Sequence, residues 1–500
     1  MIELELNRQD FEYDIYSLVK AFYPDEEVSV FLEDGSSPEN SANERHNAWK
    51  IRVHYEDRKV EVIFAGENGD GQPASEDKTV GTDVVPGGSS RMEEKSVIKT
   101  LLYRMLSERT GRVLPWGDLT GIRPVKIAMT KLEEGWSNAR IAGYMRDQFH
   151  VSVPKSALAV MIANREKYLL DRLAPREGYS LYIGIPFCPS VCLYCSFSSG
   201  PVSRWHDQTD AYVDALLLEM RECAGLFAQK KLQTVYIGGG TPTTLTTQQL
   251  DRVLCGIENC FDLRHVKEFT VEAGRPDSIT REKLAVLRAH GIGRISINPQ
   301  TMNQRTLDLI GRKHTVEEFV EAFSLAREMG FDNINTDLII GLPREGLPEV
   351  AHTMQRIGEL SPESVTVHAL ALKRAARLSL MKDLYRPVSF QASEEIMNLT
   401  MRANEARGLA PYYLYRQKNI AGNFENVGYA LEGKECLYNI LIMEEVQSIL
   451  ALGAGGSTKL VFRDGHIERI ENVKDILHYL QRTGEMIERK KRIIDLQEEL

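Results

Sequence analysis

From about residue 179 onward, short apolar runs rich in β-branched residues alternate with longer amphipathic segments. The runs at 181–185, 234–237, 268–272, 294–297, 333–340 and 365–370 read as six strands. Between them, 210–229, 247–260, 279–290, 316–329 and 347–359 carry apolar residues at a helical period. The repeated order of strand then helix implies an α/β fold: a parallel sheet covered by helices, curled by right-handed crossovers into an open or closed (β/α) barrel. In such folds the loops that follow the strands carry the chemistry.

The rest of the chain divides around this core. Residues 1–90 combine a helical opening with β-rich stretches at 28–32, 50–55 and 59–64, then a Gly, Asp, Pro and Ser-rich segment at 69–90 that reads as a loop. This predicts a small α+β domain. Residues 91–172 are helical in pattern (96–109, 124–132, 137–149, 154–170) and read as a connecting segment. The barrel is expected over 173–390. Residues 391–500 read as a mainly helical covering module, with helix at 391–407 and a charged helical stretch at 473–500, and irregular chain at 412–415 and 453–457 between them.

Composition narrows the class. With 43% hydrophobic and 26% charged residues in 500, this is ordinary globular composition. The 61 Lys and Arg against 71 Asp and Glu leave a net charge of −10, which argues against a general nucleic-acid binder. No apolar stretch approaches the about 18 residues of a membrane span, and the acidic opening Met-Ile-Glu-Leu-Glu-Leu-Asn-Arg is unlike an export signal, so a cytoplasmic location is expected.

Seven cysteines, an odd number without an export signal, favour metal or redox chemistry over a disulfide framework. Cys223, Cys255, Cys260 and Cys436 are scattered. Cys188, Cys192 and Cys195 fall within eight residues, just past the first barrel strand. Three thiolates there can point at one centre. A structural zinc ion wants a fourth Cys or His, and His206 is eleven residues beyond Cys195. A [4Fe–4S] cluster held by three cysteines keeps one iron without a protein ligand, open to a substrate or cofactor. Gly238, Gly239 and Gly240 follow the second strand, where they make either a plain tight turn or a cofactor loop. Gly428-x4-Gly433-Lys434 imitates a phosphate loop, but Glu435 replaces the required Ser or Thr. The eleven histidines are dispersed and none forms a paired-ligand pattern.

The stretch Tyr182-Ile-Gly-Ile-Pro-Phe-Cys188-Pro-Ser-Val-Cys192-Leu-Tyr-Cys195 resembles the radical S-adenosylmethionine (SAM) signature. Together with Gly238-Gly-Gly-Thr241-Pro-Thr243 and Asp337-Leu-Ile-Ile-Gly341-Leu342-Pro343, it is similar to the oxygen-independent coproporphyrinogen III oxidase family, in particular its HemZ-type coproporphyrinogen dehydrogenase branch. The resemblance covers about residues 179–459. It implies a partial (β/α)6 barrel that binds a [4Fe–4S] cluster and SAM. It assigns Cys188, Cys192 and Cys195 to the cluster, and Tyr182, Tyr194, Gly239, Gly240, Thr241, Glu272, Gln300, Arg312, Asp337 and Ala371 to SAM. Residue chemistry agrees for most of these. Glycines let the backbone approach the methionyl group, Asp337 suits ribose hydroxyls, and Arg312 can meet a carboxylate as a bidentate fork.

The implied reaction is oxidative decarboxylation of two propionates of coproporphyrinogen III to vinyl groups, giving protoporphyrinogen IX. It proceeds through a 5′-deoxyadenosyl radical, and it needs an electron donor and an electron acceptor. Arg374, Arg377 and Arg416 are candidate partners for the substrate carboxylates. One branch of the family carries His two residues after the equivalent of Tyr182 and a fourth cysteine two residues past the third, where this chain has Gly184 and Phe197. A heme chaperone of the family also lacks that fourth cysteine. A heme-binding or heme-delivering protein, and a heme-degrading radical SAM enzyme, are therefore the alternative readings.

Overall fold

The structure, a computed structural model, describes residues 1–24, 26–32, 49–66, 78–121, 123–196, 199–371, 394–417, 424–497 and 499–500. The chain falls into two compact units, Met1–Val160 with Arg416–Phe424, and Met161–Tyr415 with Glu425–Leu500.

The first unit is built on a five-stranded sheet of β1 (Ile2–Leu6), β2 (Val28–Leu32), β3 (Trp49–Glu56), β4 (Lys59–Gly66) and β5 (Thr79–Val84), in the order β2-β1-β3-β4-β5. β1 is the strict alternation Ile-Glu-Leu-Glu-Leu, with Ile2, Leu4 and Leu6 buried. The opening therefore contains a strand ahead of the expected helix, which is Glu12–Phe22. That helix turns Ile15, Leu18, Val19 and Phe22 onto the sheet, a single apolar stripe. β3 and β4 pair antiparallel from Trp49↔Gly66 to Glu56↔Lys59. Asp57 and Arg58 both adopt positive φ at their hairpin turn, which matches the twist of the flanking strands. The segment 69–90, read as a loop, contains β5. Its hydrogen bonds to β4 hold a Thr- and Gly-containing strand that has little apolar signal.

The second unit carries the expected alternation. β6 (Gly178–Ile185), β9 (Lys231–Gly239), β10 (Glu268–Glu272), β11 (Arg294–Ser296), β12 (Ile334–Ile340) and β13 (Ser364–Ala369) pair parallel, each beside the one before it in the chain. Helices Thr209–Cys223, Thr247–Cys260, Arg281–Ala289, Val316–Glu328 and Leu347–Leu360 fill the crossovers. Thr246 with Gln249 and Thr315 with Glu318 form capping boxes that start two of these helices. The strands are buried on both faces, so they read as continuous apolar runs rather than alternating ones. The short β7 (Phe187–Cys188) and β8 (Gly200–Pro201) bracket the cysteine loop.

The C-terminal stretch, expected to be mainly helical, also supplies five strands to the same sheet. β14 (Ala410–Tyr415) and β15 (Asn426–Ala430) extend it beyond β13, and β16 (Ser448–Leu452) runs parallel to β6 with β17 (Ser457–Val461) and β18 (Ile467–Glu471) outside it. Each is five or six residues long, and β15 and β16 are buried throughout, so their sequences show no alternation. Helix Ile476–Lys491 is tied to helix Thr209–Cys223 by a fully buried ion pair, Lys490 Nζ to Glu219 Oε1 at 2.7 Å. Glu219 also accepts from Tyr479 Oη (2.7 Å), Asn472 Nδ2 (2.8 Å) and the Gly453 amide (2.8 Å). The glycine-rich 453–457 turn is thereby held against the end of β6, where Tyr212 Oη donates to the Gly184 carbonyl at 2.7 Å.

Candidate active site

Most of the predicted site residues gather at or just beyond the carboxyl ends of β6, β9, β10 and β11, with Tyr182 and Asp337 inside β6 and β12 and Ala371 past β13. The polypeptide turns away from each strand end there, which frees side chains and amides from the ladder. After β6, Pro186 leads into the loop of Cys188, Cys192 and Cys195, none of them in a disulfide among the described residues. The Cys195 amide bonds back to the Cys192 carbonyl (3.2 Å), and Leu193 N donates to Ile310 O (3.0 Å).

The glycine turn after β9 is stitched to this loop. Gly240 N donates to Ile185 O and Thr241 N to Phe187 O, both at 2.7 Å, and Thr241 Oγ1 reaches Cys188 Sγ at 3.7 Å. Gly239 has φ 106°, outside the reach of ordinary side-chain-bearing residues. A Cβ on Gly240 would lie 2.4 Å from Phe187 O, so only glycine permits this approach.

Two guanidinium groups meet the Cys192 sulfur. Arg312 Nη1 lies at 3.9 Å and also donates to Tyr194 Oη (3.1 Å), while Nη2 bonds Asn298 O and, at 3.4 Å, Gly274 O. Arg275 Nη1 lies at 3.6 Å, with its other nitrogens bidentate on Asp277 at 2.9 and 2.7 Å. Burial pushes the Cys188 thiol and the Tyr194 phenol above their ordinary values.

On the other side, Glu272 accepts from Tyr236 Oη. It lines the interior, keeping a little exposed surface while protein surrounds it. Burial pushes its carboxyl up to about 7, opposed by the Tyr236 bond and reinforced by Asp337. Burial acts the same way on Asp337, but His368, Asn335 and Thr366 outweigh it and hold this carboxyl below its usual value. Asn298 Nδ2 donates to Asp337 Oδ2 (2.9 Å) and Asn335 Nδ2 to Oδ1 (2.7 Å). Gln300 sits at φ 71° with its amide on the Asp337 carbonyl (3.1 Å). Tyr182 stacks with Tyr236 and Tyr438, centroids 6.3 Å away in each case. Ala371 lies two residues past β13, half-buried.

Three residues at the site escaped the sequence reading: Arg275, Asn298 and His368 as a partner of Asp337. Arg275 alone left a signal, a cation directly after Glu272-Ala-Gly at a strand end. His314 is wholly buried with neither ring nitrogen partnered among the described residues, and burial with Arg312 and Arg275 nearby pushes it down to about 3. Phe197, Arg374 and Arg377 lie outside the described residues. Arg416 donates to the backbone carbonyls of Leu119 (2.6 Å) and Gly121 (3.4 Å). A cavity of about 550 Å³ opens at the other end of β6 and β9, beside Pro175, Lys230 and Phe462, and none of the predicted site residues lines it.

Residues 182–357 match the family model described as the radical SAM superfamily. The chain is 41% identical over 393 residues, 78% of each sequence, to the oxygen-independent coproporphyrinogen-III oxidase-like protein HemZ of Bacillus subtilis. It is 32% identical over 312 residues to the heme chaperone HemW of the same organism, covering 61% of this chain and 76% of that one. The fold resembles that of the radical SAM coproporphyrinogen III oxidase HemN of Escherichia coli, with TM-score 0.50 at 23% identity over 64% of this chain and 73% of the other. The protein is thus a radical SAM superfamily enzyme with that superfamily's partial (β/α)6 barrel. Within the superfamily it belongs to the oxygen-independent coproporphyrinogen-III oxidase-like family.

Radical SAM enzymes use a [4Fe–4S] cluster and SAM, and the residues present suit both. Gln300 Oε1 and Arg312 Nε are buried without a partner among the described residues, polar atoms suited to a polar ligand. Among the described residues no helix is long and apolar enough to cross a membrane.

Proposed function

We propose that the protein carries out the oxygen-independent oxidative decarboxylation of coproporphyrinogen III to protoporphyrinogen IX. In this reading Cys188, Cys192 and Cys195 hold the cluster. Gly239, Gly240 and Thr241 bring backbone and hydroxyl to the methionyl end of SAM, Glu272 faces its amino group, Arg312 its carboxylate, and Asp337 its ribose hydroxyls. Tyr182, Tyr194, Gln300 and Ala371 border the same space. When bound, the two cofactors supply one-electron cleavage of the sulfonium and hydrogen-atom abstraction from substrate.

This chain's own part is positioning and exclusion. The stitched thiol and glycine loops fix the two cofactor sites against one another, and the buried interior keeps water from the reacting carbon. Each of two propionates loses a hydrogen atom, CO₂ and one further electron to become a vinyl group, and the electron passes to a separate acceptor. The observation that supports this reading most is the joining of the three-thiol loop to the Gly239–Thr241 turn in a chain so similar to an oxidase-like relative.

The second reading, heme binding and delivery, draws on the similarity to a heme chaperone and on Gly184. His314 and His368 give it little support. The first is sealed from solvent, and the second is engaged with Tyr415 (3.3 Å) and Asp337 (3.8 Å).

Anaerobic incubation of the cluster-loaded protein with SAM, a reductant, an electron acceptor and coproporphyrinogen III separates the two. The oxidase reading expects a vinyl-bearing product by mass and absorption, with 5′-deoxyadenosine formed in step. Formation of 5′-deoxyadenosine over unchanged porphyrinogen, together with tight heme binding, would overturn it in favour of the chaperone.

A further inference from the structure

Away from the thiol loop, the outer helical layer holds a second set of donors. Helix Thr247–Cys260 places Asp251 and Cys255 one turn apart on the same face, and His290, which caps helix Arg281–Ala289, comes against them. One carboxylate oxygen, the thiol sulfur and one imidazole nitrogen all lie within 4.8 Å of one another, the only such trio among the described residues. His290 Nε2 is 3.0 Å from Asp251 Oδ1, and Cys255 Sγ is 4.0 Å from Asp251 Oδ2. On the far side of the ring, Nδ1 lies 2.8 Å from Glu258 Oε1.

We propose that Asp251, Cys255 and His290 form a binding site for one divalent cation of borderline softness, with zinc the best match. The donor set is one sulfur, one nitrogen and one oxygen, and a fourth tetrahedral position is open to water. Glu258 acts on the ring as carboxylates do behind metal-bound histidines. It accepts a hydrogen bond from Nδ1–H, fixes the tautomer and turns Nε2 toward the other two donors. The His290 side chain is only 11% exposed and so is held in place, while the half-exposed Asp251 leaves an entry path. Without metal, a protonated His290 bridges the two carboxylates and the Cys255 thiol donates weakly to Asp251; a bound cation would replace the Nε2 proton and the thiol proton. Such a cation would pin the helix before β10 to the one before β11.

The experiment uses the holoprotein, in which the cluster occupies Cys188, Cys192 and Cys195 and removes them from competition. Anaerobic equilibrium dialysis against zinc is expected to add one zinc per chain, with iron content unchanged. Zinc K-edge absorption should show one sulfur among nitrogen and oxygen neighbours. Glu258→Gln should weaken binding about tenfold, the scale of a lost outer partner, and Cys255→Ser or His290→Gln by more. Iron content and circular dichroism confirm that each variant is folded. The proposal is overturned if the native holoprotein takes up no zinc, or if the zinc it takes up persists with the same neighbours in the Cys255→Ser and His290→Gln variants.

Discussion

Two guanidinium groups converge on the Cys192 sulfur, and they are not equivalent. Arg312 is spread over Tyr194 and two backbone carbonyls, whereas Arg275 is locked by a bidentate carboxylate and shares its remaining nitrogen between the thiol and the Ser190 carbonyl (3.4 Å). A positive charge and an N–H···S bond at a cluster ligand favour the reduced, more negative cluster. Arg275→Met should therefore lower the cluster's midpoint potential with near-native iron content, and Arg275→Lys should recover part of the loss. A redox titration followed by electron paramagnetic resonance checks this, and an unchanged potential would refute it. Glu272 gives a prediction of its own. Its folded-state carboxyl titrates at about 7 against an ordinary 4.5, so the unfolded chain releases the proton first. The contribution of Glu272 therefore lowers stability as pH rises from about 4.5 to about 7 and is constant above that. Thermal unfolding of the cofactor-free protein should show this fall, and Glu272→Gln should remove its share.

Between helices, the heaviest commitment is the pair of Lys490 and Glu219, both without solvent exposure. Removing one member leaves the other charged and buried, so Lys490→Met should cost about 3–5 kcal/mol. Adding Glu219→Gln should return part of that, since no charge then remains. Denaturant unfolding of the single and double variants measures both quantities. The same contact explains why the C-terminal helix is ordered despite its run of charges. Met486 and Ile487 face inward, and Lys490 finds its counter-ion inside rather than in water.

Across the molecule, the residues proposed to hold the cofactors all belong to the larger of the two compact units. SAM at about a hundred times its dissociation constant should stabilise that unit by about 2.7 kcal/mol, by mass action alone. Anaerobic calorimetry of the cluster-loaded protein with and without SAM should show the shift. Cys192→Ala, expected to lose the cluster's iron and visible spectrum, should show little of it. A full shift in that variant would mean that SAM binds without the cluster.

The strand-helix alternation of 181–370 and the three-cysteine spacing were legible because each rests on local order, an apolar period in one case and a loop of eight residues in the other. β1, β5 and β14–β18 were not read, for two reasons. β1 alternates but, like β14–β18, is only five or six residues long, too short for a period to stand out, and β15 and β16 are buried on both faces as well, while β5 owes its place to a neighbour's hydrogen bonds. Gly240 could be read as a turn, but its need for glycine comes from Phe187 O, fifty-three residues earlier in the chain. Arg275 over Cys192 and His368 beside Asp337 likewise join residues far apart in order. Local periodicity and spacing are written into neighbouring residues, while the partners of a charge or a thiol depend on which strand ends the fold brings side by side.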